Sequence, residues 1–161
     1  MQIILGIDPG LSMTGWSIIQ AQTRDQILPL NYGCIKTYPA QTLIQRLHSI
    51  NIQLQEIINT YHPQNAAIEE LFFAKQAKTV AAVGQARGAI VLTIALNKIP
   101  LFEYNPRTVK ISLTSNGSAD KSQMQKMVKM LLNLKEIPQP DDAADALAIA
   151  MCHASSVGNV G

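Results

Sequence analysis

Apolar residues open the chain almost without a break: Ile3, Ile4, Leu5 and Ile7 run into Asp8, Pro9 and Gly10. Such a run reads as a strand covered on both faces of a sheet and ended by the Pro-Gly pair. "GWSIIQ" predicts a second strand, with "GLSMT" as the tight connection. "LPLNYGCIKTY" predicts a third, which completes an antiparallel meander.

The period changes at Thr42. Leu43, Leu47, Ile50, Leu54 and Ile57/Ile58 form a helical stripe to about Tyr61, with Thr42 as its N-cap. After the "HPQN" break, "NAAIEEL" is a short fourth strand. The segment from Gln76 to Asn97 is rich in Ala and apolar on much of its circumference, which predicts a helix buried on more than one side. "PLFEYN" is the fifth strand, with Pro106 stopping it. Ser118 is the expected cap of the next helix, whose stripe is Met124, Met127, Val128, Leu131 and Leu134, with Lys121, Lys126 and Lys129 largely off it. "IPQP" then breaks the chain, and "DDAADALAIAMCHA" forms a last helix with acids in the first turn, where the helix dipole favours them. Three strands, helix, strand, helix, strand and two helices predict an α/β fold. It is a mixed five-stranded sheet flanked by helices on both faces, in a single domain over residues 1–161.

Composition adds limits rather than a function. The 161 residues are 47% apolar, an ordinary globular value, and the longest apolar run, "GAIVLTIAL", is about half of the ~20 residues a spanning helix needs. The start of the chain has no basic flank, which argues against a signal peptide. Cys34 and Cys152 form no CxxC unit, so reduced thiols and a cytoplasmic location are expected. Net charge is +2 but uneven: Lys75–Lys135 carries ten basic residues and two acids, and the remainder nine acids and three basic residues. A basic half beside an acidic half suits a polyanion grasped around a metal-binding centre. Solvated helix faces account for the same split.

The eleven acids carry the sharper signal. Asp8 ends a buried strand, where a carboxylate is costly unless its charge is compensated. Glu69 and Glu70 sit among small and apolar neighbours in the fourth strand. Alternation turns Glu70 away from Glu69, towards a structural or solvent-facing role. Asp142 and Asp145 lie one helical turn apart on an Ala-lined helix that can approach the sheet closely. Asp141, and equally Asp142, can serve as a simple helix cap, the reading preferred for Asp141. If the first and fourth strands pair in parallel and the last helix docks beside them, up to four carboxylates share one pocket. Like charges at close range raise one another's pKa, and a divalent cation relieves them. All-oxygen ligands suit Mg²⁺ or Mn²⁺. Two such ions about 4 Å apart would clamp both oxygens of a phosphodiester in in-line displacement. Other chemistries lack their residues. His48, His62 and His153 have no metal-ligand spacing, and there is no nucleophile elbow, Walker A or Rossmann glycine pattern. His153 reads as a packing or surface residue.

Six stretches, "GIDPG…TGW", "AIEELFFAKQ", "VGQARGAI", "FEYNPRTVK", "GSADKSQMQ" and "DDAADALAIA", together resemble the RuvC family of crossover junction endodeoxyribonucleases, in order along nearly the whole chain. The resemblance implies a ribonuclease H-like fold and a homodimeric Holliday-junction resolvase acting in homologous recombination and DNA repair. It implies paired symmetric Mg²⁺-dependent nicks in four-way junction DNA, and work alongside the RuvA–RuvB branch-migration complex. Its four catalytic, metal-binding acids map onto Asp8, Glu69, Asp142 and Asp145. Its DNA-contacting aromatic maps onto Phe72, and its DNA-contacting basic residues onto Arg107, Lys110 and Lys121. The helix from Gln76 to Asn97 is the candidate dimer interface, with burial inside the monomer as the competing explanation. The chain departs from the family at Leu11-Ser12-Met13, where a basic residue is common, and at Ser115, where a glycine is usual. A junction-binding protein without catalysis is the alternative from another class; it predicts binding that survives loss of Asp8 or Asp145.

Overall fold

The structure, a computed structural model, describes residues 1–23, 26–70 and 77–157, the side chains of 77–79 excepted. Its elements run β1 (Gln2–Asp8), β2 (Met13–Thr23), β3 (Gln26–Lys36), α1 (Leu43–Tyr61), β4 (Asn65–Glu69), α2 (Ala77–Leu96), β5 (Leu101–Tyr104), α3 (Pro106–Thr114), α4 (Lys121–Leu131) and α5 (Asp141–Val157). The sheet order is β3-β2-β1-β4-β5. β1, β2 and β3 form the antiparallel meander, and β1, β4 and β5 run parallel.

Side-chain alternation divides the interior into two layers. Leu5, Ile7, Ile18, Ala66 and Ile68 face α1 and α2, against Ile50, Leu54, Ile58, Ala86, Ile90 and Ile94. Ile4, Ile19 and Ala67 face the other way, against α5 and the apolar sides of α3 and α4. By the same alternation Asp8 follows Ile4 and Gly6 onto the α5 face. Glu69 follows Ala67 onto that face, and Glu70 does not.

α5 approaches the sheet more closely than its neighbours because both surfaces are small. It buries eleven residues, six of them Ala. Beneath it, a Cβ at Gly6 would overlap the Ala146 carbonyl, and one at Gly15 the Asp142 carbonyl. Ser17 Oγ donates to the Ala146 carbonyl at 2.9 Å, which locks the helix in register. α1 is held at its start by a capping box between Thr42 and Gln45 and stops where His62 turns left-handed at φ 48°.

The structure corrects the sequence reading at three places. Pro106 does not merely stop β5: it is the first residue of α3, with Asn105 as N-cap accepting from the Arg107 N–H. Proline at the first helical position is a start signal, since its missing N–H is one that the helix leaves unpaired there. Asp120, not Ser118, caps α4, in a reciprocal box with Gln123. α2 buries one side only. Ala86, Ile90, Thr93 and Ile94 face inward, while Leu92 is 58% and Leu96 70% exposed. Among the described residues no helix is long and apolar enough to cross a membrane.

Candidate active site

β1 and β4 are adjacent and parallel, with Ile7 opposite Ile68. One residue further on, Asp8 and Glu69 therefore leave neighbouring strand ends on the same face. β5 extends the row, with Tyr104 opposite Glu69. α5 lies over this edge and brings Asp145. The result is a cleft of about 230 Å³ lined by Asp8, Glu69 and Asp145, with Lys110 from α3 and Lys121 from α4. Pro106, Val109, Met124, Ala148 and Ile149 form its apolar wall.

The charges in the cleft are coupled. Burial, reinforced by Asp145, Glu69 and Asp142, pushes the Asp8 carboxyl up from 3.8 to about 8. Burial and then Asp145 raise Glu69, against the pull of Lys110. Burial also raises Asp145, with Lys121 opposing and Asp142 adding to the rise. Asp142 acts on both acids through its charge but is not part of the cleft lining.

The Lys121 ammonium stands 3.6 Å from Asp145 and 3.2 Å from Asp141. Asp141 is not the simple cap expected from its position. Its carboxylate pairs with Lys121 and accepts from Gln125 at 3.0 Å, and Lys121 draws its pKa below the ordinary carboxylate value. Burial works against the charge of Lys121, yet the surrounding Asp141, Asp145 and Asp142 hold its pKa above the ordinary value.

The donor set fits a hard divalent cation. It is all oxygen, its carboxyls are raised by burial and by one another's charge, and it already attracts an ammonium. Among the described residues no three acid, histidine or cysteine side chains are close enough as they stand to hold an ion, so gripping one requires the carboxylates to turn inward.

The remaining candidates are scattered. Glu70 is exposed, and Asn105 Nδ2 donates to its carboxylate at 3.4 Å. Arg107 is exposed and lies along Gly117 rather than in the cleft. Phe72 lies outside the described residues. His153 is fully buried, its Nδ1 2.8 Å from the Tyr104 hydroxyl and its ring 4.4 Å from that of Phe102, so it ties α5 to β5.

The family model described as crossover junction endodeoxyribonuclease RuvC matches residues 4–153. The chain is 65% identical over 155 residues to the protein of that name from Endomicrobium trichonymphae, covering 96% of this chain and 82% of that one. It is 48% identical over 157 residues to its counterpart from Caldicellulosiruptor saccharolyticus, covering 98% and 95%. Among solved structures, Thermus thermophilus RuvC in complex with a Holliday junction substrate superimposes with a TM-score of 0.93 at 32% identity, over 98% of this chain and 96% of that one. The yeast mitochondrial Holliday junction resolvase Ydc2 shares the fold, with a TM-score of 0.69 at 16% identity over 94% and 77% of the two chains.

Proposed function

The chain belongs to the RuvC family of crossover junction endodeoxyribonucleases, and on that premise we propose how its residues resolve a Holliday junction. The observation that carries the reading is the meeting of Asp8, Glu69 and Asp145, from three separate elements, in one cleft edged by Lys110 and Lys121.

Asp8, Glu69 and Asp145, joined by Asp142, would hold two Mg²⁺ ions, for which Mn²⁺ could substitute. When bound, such ions supply an activated water and neutralise the charge that develops on the attacked phosphodiester. Lys110 and Lys121 hold the backbone at the cleft mouth, since an ammonium neutralises phosphate without reading sequence. Arg107 makes a further phosphate contact outside the cleft, and Phe72 stacks on an unpaired base at the crossover. The apolar wall of Val109, Ala148 and Ile149 limits water on one side of the reacting group.

A junction has approximate two-fold symmetry, and paired symmetric nicks call for a two-fold dimer. Ala81, Gln85, Gly88, Leu92, Ala95 and Leu96 form an exposed stripe at helical spacing on α2, which supports that helix as the contact. The enzyme acts as a single nuclease domain in the bacterial cytoplasm, on junctions moved by a RuvA–RuvB complex.

The test is cleavage of a mobile four-way junction with Mg²⁺, beside a linear duplex of the same sequence and an Asp145→Asn control. Paired nicks in the junction alone, lost with EDTA and in the variant, are expected. Junction binding without nicks would leave a structure-specific binder, and equal cutting of duplex would overturn the substrate.

A further inference from the structure

Most of the basic residues lie between Lys75 and Lys135, and the two that line the cleft stand on its α3/α4 side. Lys36 and Arg46 belong to the acidic remainder of the chain, yet the fold carries both to the opposite side of the same sheet end.

Lys36 is the last residue of β3 and pairs with Met13, two residues past the Gly15–Cys34 pair. Gly15 in turn pairs with Asp8. Asp8, Gly15 and Cys34 thus form one row across three strands, and Lys36 shares the face of that row by alternation. Strand spacing and rise put the Lys36 Cα about 12 Å from that of Asp8. The thiol of Cys34 registers both neighbourhoods: burial first, then Asp142 and Asp8, raises it to about 11, while Lys36 opposes them.

Arg46 projects from the first turns of α1 to the β1–β2 loop. Its Nε donates to Thr37 Oγ1 at 2.8 Å and its Nη2 to Ser12 Oγ at 2.7 Å. The backbone beneath is fixed, because the Thr37 N–H donates to the Ser12 carbonyl at 3.0 Å. Both partners of the guanidinium are neutral hydroxyls. Among the described residues neither Arg46 nor Lys36 is paired with a carboxylate. A guanidinium offers five N–H donors in a rigid fork, so most of this one's capacity and all of its charge remain available. Held in one orientation where the β1–β2 loop meets the end of β3, such a fork suits the oxygens of a phosphate.

We infer that Lys36 and Arg46 form a second phosphate grip, across the acidic cleft from Lys110 and Lys121, for the DNA strand that is cut. The inference rests on the reading of the cleft as the cutting site. It adds that the strand is held on both sides of the scissile bond, so the phosphate cannot slide along the row of acids. Lys36 supplies a mobile point charge and Arg46 a fixed fork.

The experiment is metal-free junction binding in EDTA over a series of salt concentrations. The parent is compared with Lys36→Gln, Arg46→Gln, Arg46→Lys and Lys121→Gln. The control is Lys98→Gln, an exposed cation at the opposite end of the sheet. Removing the partner of one phosphate lowers the slope of log affinity against log salt by about 0.9. Lys36→Gln and Arg46→Gln are each expected to reduce the slope by about that much, Arg46→Lys to keep most of it, and Lys98→Gln to match the parent. A purely structural Arg46 would lower the melting temperature and leave the slope alone, which overturns its half of the grip. Lys36 is exposed, so its variant tests the other half in an intact fold. A slope that falls in Lys121→Gln but not in the Lys36 and Arg46 variants overturns this proposal alone. A slope unmoved in all three overturns the reading of the cleft as well.

Discussion

α2 and α5 look alike as sequence: both are rich in Ala, both lack a continuous polar face, and both pack on the central sheet. The structure treats them differently. α5 sinks into the sheet over Gly6 and Gly15 and buries eleven of its seventeen residues. α2 buries Ala86, Ile90, Thr93 and Ile94 and leaves Leu92 and Leu96 more than half exposed. The difference comes from the surface each helix meets. Glycines below and alanines above let α5 be covered by its own chain. α2 packs on α1 and the larger aliphatics of the opposite layer, and its outer stripe has no cover among the described residues. A helix that composition alone calls buried is in one case a core element that brings Asp145 to the cleft. In the other it is a half-buried helix with an exposed apolar stripe.

The comparison breaks first at the charge beneath α5. Asp8 stands at about 8 in the fold against 3.8 ordinarily, so between those values the folded protein keeps a proton that the unfolded chain has released. Stability of the metal-free protein must then fall as pH rises from 3.8 to about 8 and level off beyond. Glu69 and Asp145, also raised, act in the same direction. The full effect is on the order of 5 kcal/mol. Urea midpoints across pH would measure it. Asp8→Asn or saturating Mg²⁺ should flatten the profile, and a flat profile in the metal-free parent would count against the coupled cluster.

The next effect is steric. Gly6→Ala drives a methyl into the Ala146 carbonyl and lifts α5 from the sheet, at a cost of about 3 kcal/mol in urea unfolding. Nicking should fall with it, since Asp145 rides on the same helix. A variant as stable as the parent would mean that the close approach is not needed. On α2 the pattern should invert. If α2 is the proposed contact between two copies, Leu92→Asp with Leu96→Asp should give a monomer in sedimentation while shifting monomer stability by no more than about 0.5 kcal/mol. Unfolding instead would show that the stripe is covered from within. The smallest effect lies outside both helices. Ser115 ends α3 at φ 58°, where glycine is favoured. Ser115→Gly should stabilise by about 0.5 kcal/mol, readable as a small rise in melting temperature with no change in nicking.

Much of this was legible in the chain before folding. Period-two alternation separates Ile4, Gly6 and Asp8 from Leu5 and Ile7, and Glu69 from Glu70. Alternation put the two acids on opposite faces, and the family resemblance chose Glu69, which the structure places in the cleft. Thr42 announces the start of α1 correctly. What escaped was set by tertiary contact or by a signal with two meanings. Pro106 reads as a stop for a strand and equally as the first residue of a helix, and only Asn105 before it decides. Asp141 reads as a cap until α4 brings Lys121 and Gln125 to it. Lys36 and Arg46 lie in the acidic part of the sequence, so a charge count sets them aside. That Lys36 shares the face of Asp8, and that Arg46 reaches Ser12 and Thr37, depends on strand register and helix docking, which no local pattern contains.

The cleft draws on residues 8, 69 and 145, so its members are far apart along the chain and meet only when α5 docks over β1 and β4. A ribosome makes β1 through β5 well before it makes α5, and that growing chain holds two of the acids with nothing to complete them. Pairings between distant segments are late and slow to form. The three-acid cleft is therefore completed in one step, with the final helix.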